Sequence, residues 1–235
     1  MPRFDIVKKV KEDGLKSFRA SNVINNFDLD INHIDEHFIG NIDIEGKEWN
    51  IGLIVGGSGT GKSTIAKTVF PDNYMRGYEY TAKTVIDDMP AGKSIKDIER
   101  AFTSVGFASP PSWLKPYSVL SNGEKMRCDL ARSILEEKDV IVFDEFTSVV
   151  DREVAKTASY AISKAVKRLD KKFIAVSCHK DITEWLEPDW IYDTDEKRFF
   201  TVRESTTARK SNLKYTGLTM QLKGKYGTYL ASITI

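Results

Sequence analysis

Nine residues, Gly56 to Thr64, reading GGSGTGKST, restrict the fold more than any other part of the chain. An apolar run, Ile51–Val55, precedes them. A stretch without Gly or Pro, Ser63–Phe70, follows and is ended by Pro71, so the local order is strand, glycine turn, helix. Gly56, Gly61, Lys62 and Ser63 fill the G-x-x-x-x-G-K-[ST] frame of a phosphate-binding loop. The glycines let backbone N–H groups close around a phosphate without Cβ obstruction, and the helix start adds its partial positive charge. The candidate nucleotide-binding residues are therefore Gly56, Gly57, Ser58, Gly59, Thr60, Gly61, Lys62, Ser63 and Thr64. Lys62 is placed to reach the β- and γ-phosphates, and the Ser63 hydroxyl to complete the shell of a Mg²⁺ ion.

Other stretches supply what this loop lacks. Val140–Phe143 is a short apolar strand ending in Asp144 and Glu145; in a parallel sheet covered on both faces, those carboxylates stand at the edge where ligands bind. Phe173–Cys178 reads as a second buried strand with His179 at its end, on the same edge. Between them, Ser148–Asp151 forms a turn, and Val154, Ala158, Ala161, Ile162, Ala165, Val166 and Leu169 mark a helix ending near Asp170. Upstream, LSNGE starts a helix that runs to about Glu137: Ser121 and Glu124 stand in capping-box register, and Gly123 keeps the first turn open to an anion.

The remaining segments are less specific. Ser17–Phe27 and Glu36–Val55 read as strands, the second broken at Glu45–Lys47 into a hairpin. Such an antiparallel lobe can offer an aromatic face to a base; Phe27, His33 and Phe38 are the candidates, with simple packing as the plainer reading. Asn73–Met89 looks extended, and Ser94–Val105 has helical spacing. Pro110, Pro111 and Pro116 make Gly106–Tyr117 an irregular, stiff connector, in which Trp113 caps the core or docks a partner.

At 235 residues and 41% hydrophobic, the chain suffices for one sizeable core with a subdomain. No apolar run reaches the roughly 18 residues that span a bilayer, and MPRFDIVKKVKEDG is too charged for a signal peptide, so a cytoplasmic protein is expected. Cys128, in a helix, and Cys178, in a buried strand, form neither a disulfide framework nor a zinc spacing. Residues 201–235 carry six basic side chains against one acid, leaving a formal charge of −4 on the first 200. In that tail, Leu218, Met220, Leu222, Tyr229, Ala231, Ile233 and Ile235 alternate with polar residues about Lys223–Gly227, the pattern of a hairpin. A polyanion such as DNA is a candidate partner for Arg203, Arg209, Lys210, Lys214, Lys223 and Lys225; a solvated hairpin is the alternative.

Taken together, GGSGTGKST, LSNGE, VIVFDE, SVVD and the strand-end His179 resemble the Walker A, signature, Walker B, D-loop and switch-histidine motifs of the ABC-type ATPases, in the family's order, over roughly residues 17–200. More narrowly, GFASPPSWLKPYSVLSNGE, DEFTSVVDREVAK and CHKDITEWLEPDWIYD resemble a soluble bacterial and phage branch often fused to an acetyltransferase-like domain. About 35 residues follow Phe200, too few for such a domain, so an acetyltransferase activity would come from another chain. The resemblance implies an α/β P-loop NTPase of ABC type. Its central sheet is mostly parallel, with an antiparallel β lobe and a reduced helical subdomain, in an ATPase domain over 1–200 and a basic extension over 201–235. It also implies MgATP as ligand, with Lys62 and Ser63 on phosphate and metal, Asp144 orienting the metal, Glu145 polarising the attacking water and His179 sensing the γ-phosphate. Ser121, Asn122, Gly123 and Glu124 would face the nucleotide of a second copy, with Asp151 near the seam, so an ATP-dependent homodimer is expected.

Two departures stand out. Asn122 replaces the family's usual glycine, and the segment that usually carries a Q-loop glutamine has none, Gln221 being the only one in the chain. Asp87 or Asp88 is the candidate replacement at the metal. The 59 positions from Lys62 to Ser121 leave little room for the subdomain with which transporters grip a permease. A clamp acting on nucleic acid or a nucleic-acid-modifying partner is the favoured reading. The alternatives are a transporter's ATP-binding subunit and an ATP-binding regulatory component with little turnover.

Overall fold

The computed structural model describes residues 3–8, 16–29, 36–75 and 77–202, together with the backbone of 220–224 and 227–231. Its centre is β3 (Ile51–Val55), in a five-stranded sheet of order β4-β5-β3-β6-β7. Strands β4 (Val140–Phe143), β5 (Lys172–Ser177) and β6 (Trp190–Asp193) run parallel to β3, and β7 (Arg198–Thr201) closes the edge antiparallel to β6. All five residues of β3 are buried, as a parallel strand covered on both faces requires.

Alternation along β3 divides the core in two. Ile51, Leu53 and Val55 face a layer formed by α3 (Ile95–Ser104), α5 (Asn122–Leu135) and α6 (Arg152–Arg168). Ile54 faces Ile65 and Ala66 of α2 (Lys62–Val69), together with Phe4, Trp190 and Tyr192. The capping box is made: the Ser121 hydroxyl accepts from Glu124 N at 3.3 Å, and Glu124 Oε2 accepts from Ser121 N at 2.9 Å. α7 (Thr183–Leu186) leads into β6.

Several segments differ from their sequence reading. Ser17–Phe27 is not a strand: Ser17 caps the helix α1 (Phe18–Asn26), accepting from Ala20 N at 3.2 Å. Its aromatic and branched residues mimic a strand's composition, but none of its residues is buried, so burial did not shape the pattern. The antiparallel lobe exists, but with another partner. β2 (Glu36–Asn41) pairs with β1 (Arg3–Lys8), not with β3, and the turn at Glu45 and Gly46 carries the chain from one sheet to the other. Asn73–Met89 is extended only at the bridge from Tyr74 to Val142 and then folds into turns. The Pro-rich connector contains a helical turn, α4 (Pro110–Trp113), because prolines at the first helical positions forgo only donors that the helix leaves unpaired anyway. Trp113 is buried there, with its indole N–H donating to Phe107 O at 2.8 Å, so it caps the core. Cys128 is buried, whereas Cys178 is exposed just past β5, not inside a strand. In the tail, β8 (Met220–Gly224) and β9 (Gly227–Ala231) pair as an antiparallel hairpin. Arg203, Arg209, Lys210, Lys214, Lys225 and Leu218 lie outside the described residues.

Candidate functional site

Strand order alone gathers the candidate residues. β4, β5 and β3 are neighbours, and their carboxyl ends lead into Asp144–Glu145, His179 and the P-loop respectively. Phe143 pairs with Ala175 and Val55 with Ser177, so the three segments leave the sheet side by side.

In the P-loop, Gly61 has φ of 84°, and a Cβ there would come within 2.3 Å of the Phe38 ring; both the conformation and the space demand glycine. A Cβ on Gly56 would lie 2.1 Å from Thr194 Oγ1. Lys62 Nζ donates to Gly57 O at 2.6 Å, which arches its side chain back over the loop. The Thr60 hydroxyl donates to the same carbonyl at 2.9 Å.

At the end of β4 the backbone turns sharply. Glu145 and Thr147 adopt φ of 53° and 67°, left-handed values that cost roughly 1–3 kcal/mol each and that a β-branched residue rarely takes. The Glu145 N–H donates to Asp144 Oδ1 at 2.9 Å, while the Tyr74 hydroxyl donates to Asp144 Oδ2. Thr147 is buried, and its Oγ1 lies 3.3 Å from His179 Nδ1. Burial and then the Arg152 cation hold the His179 imidazole below its usual pKa and favour the neutral ring, against the opposing pull of Asp181 and Glu145. Arg152 bonds Asp181 through Nε at 3.0 Å and through Nη2, and its guanidinium lies over the Trp185 ring at 5.1 Å. The start of α6 is thus tied to the segment after His179.

The signature residues look elsewhere. Ser121 and Glu124 bond one another, and Ser112 donates to Glu124 Oε1 at 2.6 Å. That bond from Ser112, followed by the Ser121 N–H, holds the Glu124 carboxyl below its usual range. A Cβ on Gly123 would lie 3.1 Å from Val154 Cγ1, so the start of α5 abuts the start of α6, where Asp151 caps the helix by accepting from Val154 N at 2.9 Å. Asp87 and Asp88 serve their own loop: Asp87 accepts from the Thr84 hydroxyl at 2.5 Å, and Asp88 from Thr81 N and Ala82 N at 3.0 Å. Of the aromatic candidates, Phe27 is 73% exposed and not packed, His33 lies outside the described residues, and Phe38 packs on Gly61. With Phe4, Thr60, Ile65 and Tyr192, Phe38 lines a cavity of about 340 Å³ between the β lobe and the P-loop.

Sequence reasoning missed Tyr74, Thr147, Arg152, Lys180 and the turn after β6. Only adjacency to a motif could have flagged Thr147, Arg152 and Lys180; nothing marked Tyr74 or the turn.

No protein-family model matches the chain. The energy-coupling factor transporter ATP-binding protein EcfA1 of Leuconostoc mesenteroides is 24% identical, with 76% of this chain and 74% of that protein covered. An uncharacterized ABC transporter ATP-binding protein of Haemophilus influenzae is 44% identical over 62 residues, which make up 25% of either chain. The dimeric post-hydrolysis state of the ATP-binding cassette MJ0796 bound to ADP and Pi matches with a TM-score of 0.57 at 15% identity, over 72% of this chain and 93% of that one. The fold is that of an ABC ATPase-type nucleotide-binding domain. The structure of cbiO1 from Clostridium perfringens, part of the cbiONQ ABC transporter complex, shares the ABC fold with a TM-score of 0.53 at 19% identity, over 70% of this chain and 79% of that one. As in the sequence reading, the fold is α/β, with a mostly parallel central sheet and an antiparallel sheet beside it.

Proposed function

We propose that the chain binds MgATP in the P-loop cleft, dimerises around two nucleotides and hydrolyses them. The observation that carries this reading is the convergence of Gly56–Thr64, Asp144–Glu145 and His179 at three adjacent strand ends. Nucleotide phosphates take the loop N–H groups, and Lys62 exchanges its bond to Gly57 O for phosphate oxygens. The metal site fits a hard ion: the donors are the Ser63 hydroxyl and the Asp144 carboxylate, and among the described residues no cluster of three or more His, Cys, Asp or Glu competes for it. Mg²⁺ suits such a sparse oxygen set, completing its shell with phosphate and water, and when bound it neutralises charge on the β- and γ-oxygens.

Glu145 polarises the attacking water, its backbone fixed by the left-handed turn and by its N–H bond to Asp144. His179 contributes as a neutral donor. With Nδ1 accepting from Thr147, Nε2 carries the proton and is free to donate to the γ-phosphate. The 340 Å³ cavity under Phe38 takes the nucleoside. Ser121 and Gly123 meet the γ-phosphate of the second copy, and Asp151 stands at the seam.

Glu145→Gln tests this reading. Saturating ATP with Mg²⁺ should trap this variant as a dimer in light scattering; monomers under those conditions would sink the proposal. A second reading, the ATP-binding subunit of a membrane transporter, is favoured by the names of EcfA1 and cbiO1; turnover stimulated by a permease in membranes would establish it. Among the described residues no helix is long and apolar enough to cross a membrane. We place the chain in the cytoplasm, as domain 1–200 with the basic extension 201–235. A nucleic-acid partner for that extension rests on its charge alone.

A further inference from the structure

The turn between β6 and β7 grips the P-loop from outside. Thr194 N donates to Val55 O at 2.8 Å, Thr194 Oγ1 lies 2.5 Å from Thr60 Oγ1, and Gly57 N donates to Asp195 Oδ1 at 2.9 Å. The same turn is held by the residue that follows His179. Lys180 Nζ bonds Asp193 Oδ2 at 2.9 Å and Asp195 Oδ2 at 2.8 Å. Each carboxylate spends its other oxygen on backbone: Asp193 Oδ1 accepts from Asp195 N at 2.9 Å and Glu196 N at 3.2 Å, and Asp195 Oδ1 accepts from Gly57 N. Asp193 is fully buried, and an ammonium and two N–H groups offset the cost of burying its charge.

We infer that Lys180, Asp193 and Asp195 are positioning residues that hold the P-loop in register with His179. The link is short: the His179 backbone carries Lys180, Lys180 holds Asp195, and Asp195 holds Gly57. Any shift of His179 relative to the γ-phosphate then has to move the loop that carries the phosphates, or break an ion pair in a partly desolvated site. A buried ion pair of this kind adds little net stability, because desolvation offsets its Coulombic gain. The inference rests on the MgATP reading for its catalytic consequence, but not for the mechanical link itself.

The test uses the full chain with Lys180→Met, Asp195→Asn, their combination, and Lys180→Arg as the conservative variant. A fluorescent ATP analogue gives affinity, phosphate release gives kcat, and hydrogen exchange in the nucleotide-free protein reads the peptide containing Gly57. Each single variant should lower kcat about 10-fold while affinity changes less than about 3-fold. The double variant should fall no further than the worse single, as expected for residues that act through one link. Lys180→Met should speed exchange at Gly57, which it does not touch, and Lys180→Arg should restore most of the rate. Multiplicative losses in the double variant, a loss confined to affinity, or unchanged exchange at Gly57 in Lys180→Met would each overturn the inference. If Lys180→Met fails to fold because Asp193 is stranded, Asp195→Asn, at a site 38% exposed, carries the kcat and exchange tests. Absence of Lys62-dependent nucleotide binding in the wild type would defeat the MgATP reading instead, and the exchange result would still decide the link.

Discussion

Asp195, beside the P-loop, and Asp129, in α5, are both carboxylates tied into side-chain networks, yet they are held by opposite means. Asp195 meets an ammonium and a backbone N–H, and the Lys180 bond followed by Gly57 N keeps it below the usual carboxylate range. Asp129 meets two phenols. Tyr80 OH donates to Oδ1 at 2.7 Å and Tyr117 OH to Oδ2 at 2.8 Å, the two rings stack with centroids 3.9 Å apart, and burial raises the carboxyl pKa despite both bonds. Arg132 completes that cluster, its guanidinium 4.9 Å from the Tyr80 ring centre while it donates to Glu79 O. One network links the P-loop, the turn after β6 and the segment after His179; the other welds the 77–88 loop to a helix. Substitutions along the nucleotide edge should therefore cost turnover more than stability, and those in the helical layer should do the reverse.

The largest effect belongs to Glu145. Glu145→Gln should slow hydrolysis by about 10² to 10⁴ while leaving nucleotide affinity and thermal stability close to wild type. Pre-steady-state phosphate release alongside a melting curve measures both, and a variant that melted early would blur the division between the two regions. Lys62→Ala should lose nucleotide binding through the phosphate contacts, again with little change in melting.

On the helical side, Tyr80→Phe removes one hydroxyl from a half-buried carboxylate and leaves the stacking in place. A hydrogen bond to a charged group is worth about 1.5–3 kcal/mol, so denaturant unfolding should report a loss of that order with kcat nearly unchanged. A fall in kcat with intact stability would instead make this cluster part of the nucleotide machinery.

What the sequence made legible was local. The P-loop, the Ser121–Glu124 box and the Asp144–Glu145 strand end each encode their geometry within a few residues, and the structure builds all three. The β lobe was legible, but its strand partner was not, because pairing is not local: Phe38 faces Ile6 across 32 positions, and no feature of Glu36–Asn41 selects β1 over β3. Ser17–Phe27 failed because an exposed helix has no buried stripe to reveal its period. The contacts that complete the site are more distant still. Tyr74 reaches Asp144 over 70 positions and Gly57 reaches Asp195 over 138, with nothing but the fold to join them.

The smallest effect sharpens the comparison most finely, because it separates a tuned group from a welded one. His179 lies below its usual pKa near 6.5 through burial first and through Arg152 second, with Asp181 and Glu145 opposing. A histidine whose folded pKa is depressed favours the neutral form in the native state. Its contribution to stability is present above the unfolded pKa and is lost as pH falls from there through the folded value. Neutral His179 is also the form proposed to donate to the γ-phosphate, so turnover should hold below pH 6.5 before it declines. Arg152→Met removes the cation and leaves Asp181 without its bidentate partner, and both changes stabilise the imidazolium. The His179 pKa should therefore rise, and the acid limb of turnover should move to higher pH by the same amount. A proton NMR titration of the His179 ring, set against the pH profile of kcat in both proteins, reads the two shifts independently. A pKa that stayed fixed or fell would show that Arg152 does not hold this histidine down; a pKa that rose without moving the acid limb would show that its protonation state does not limit turnover.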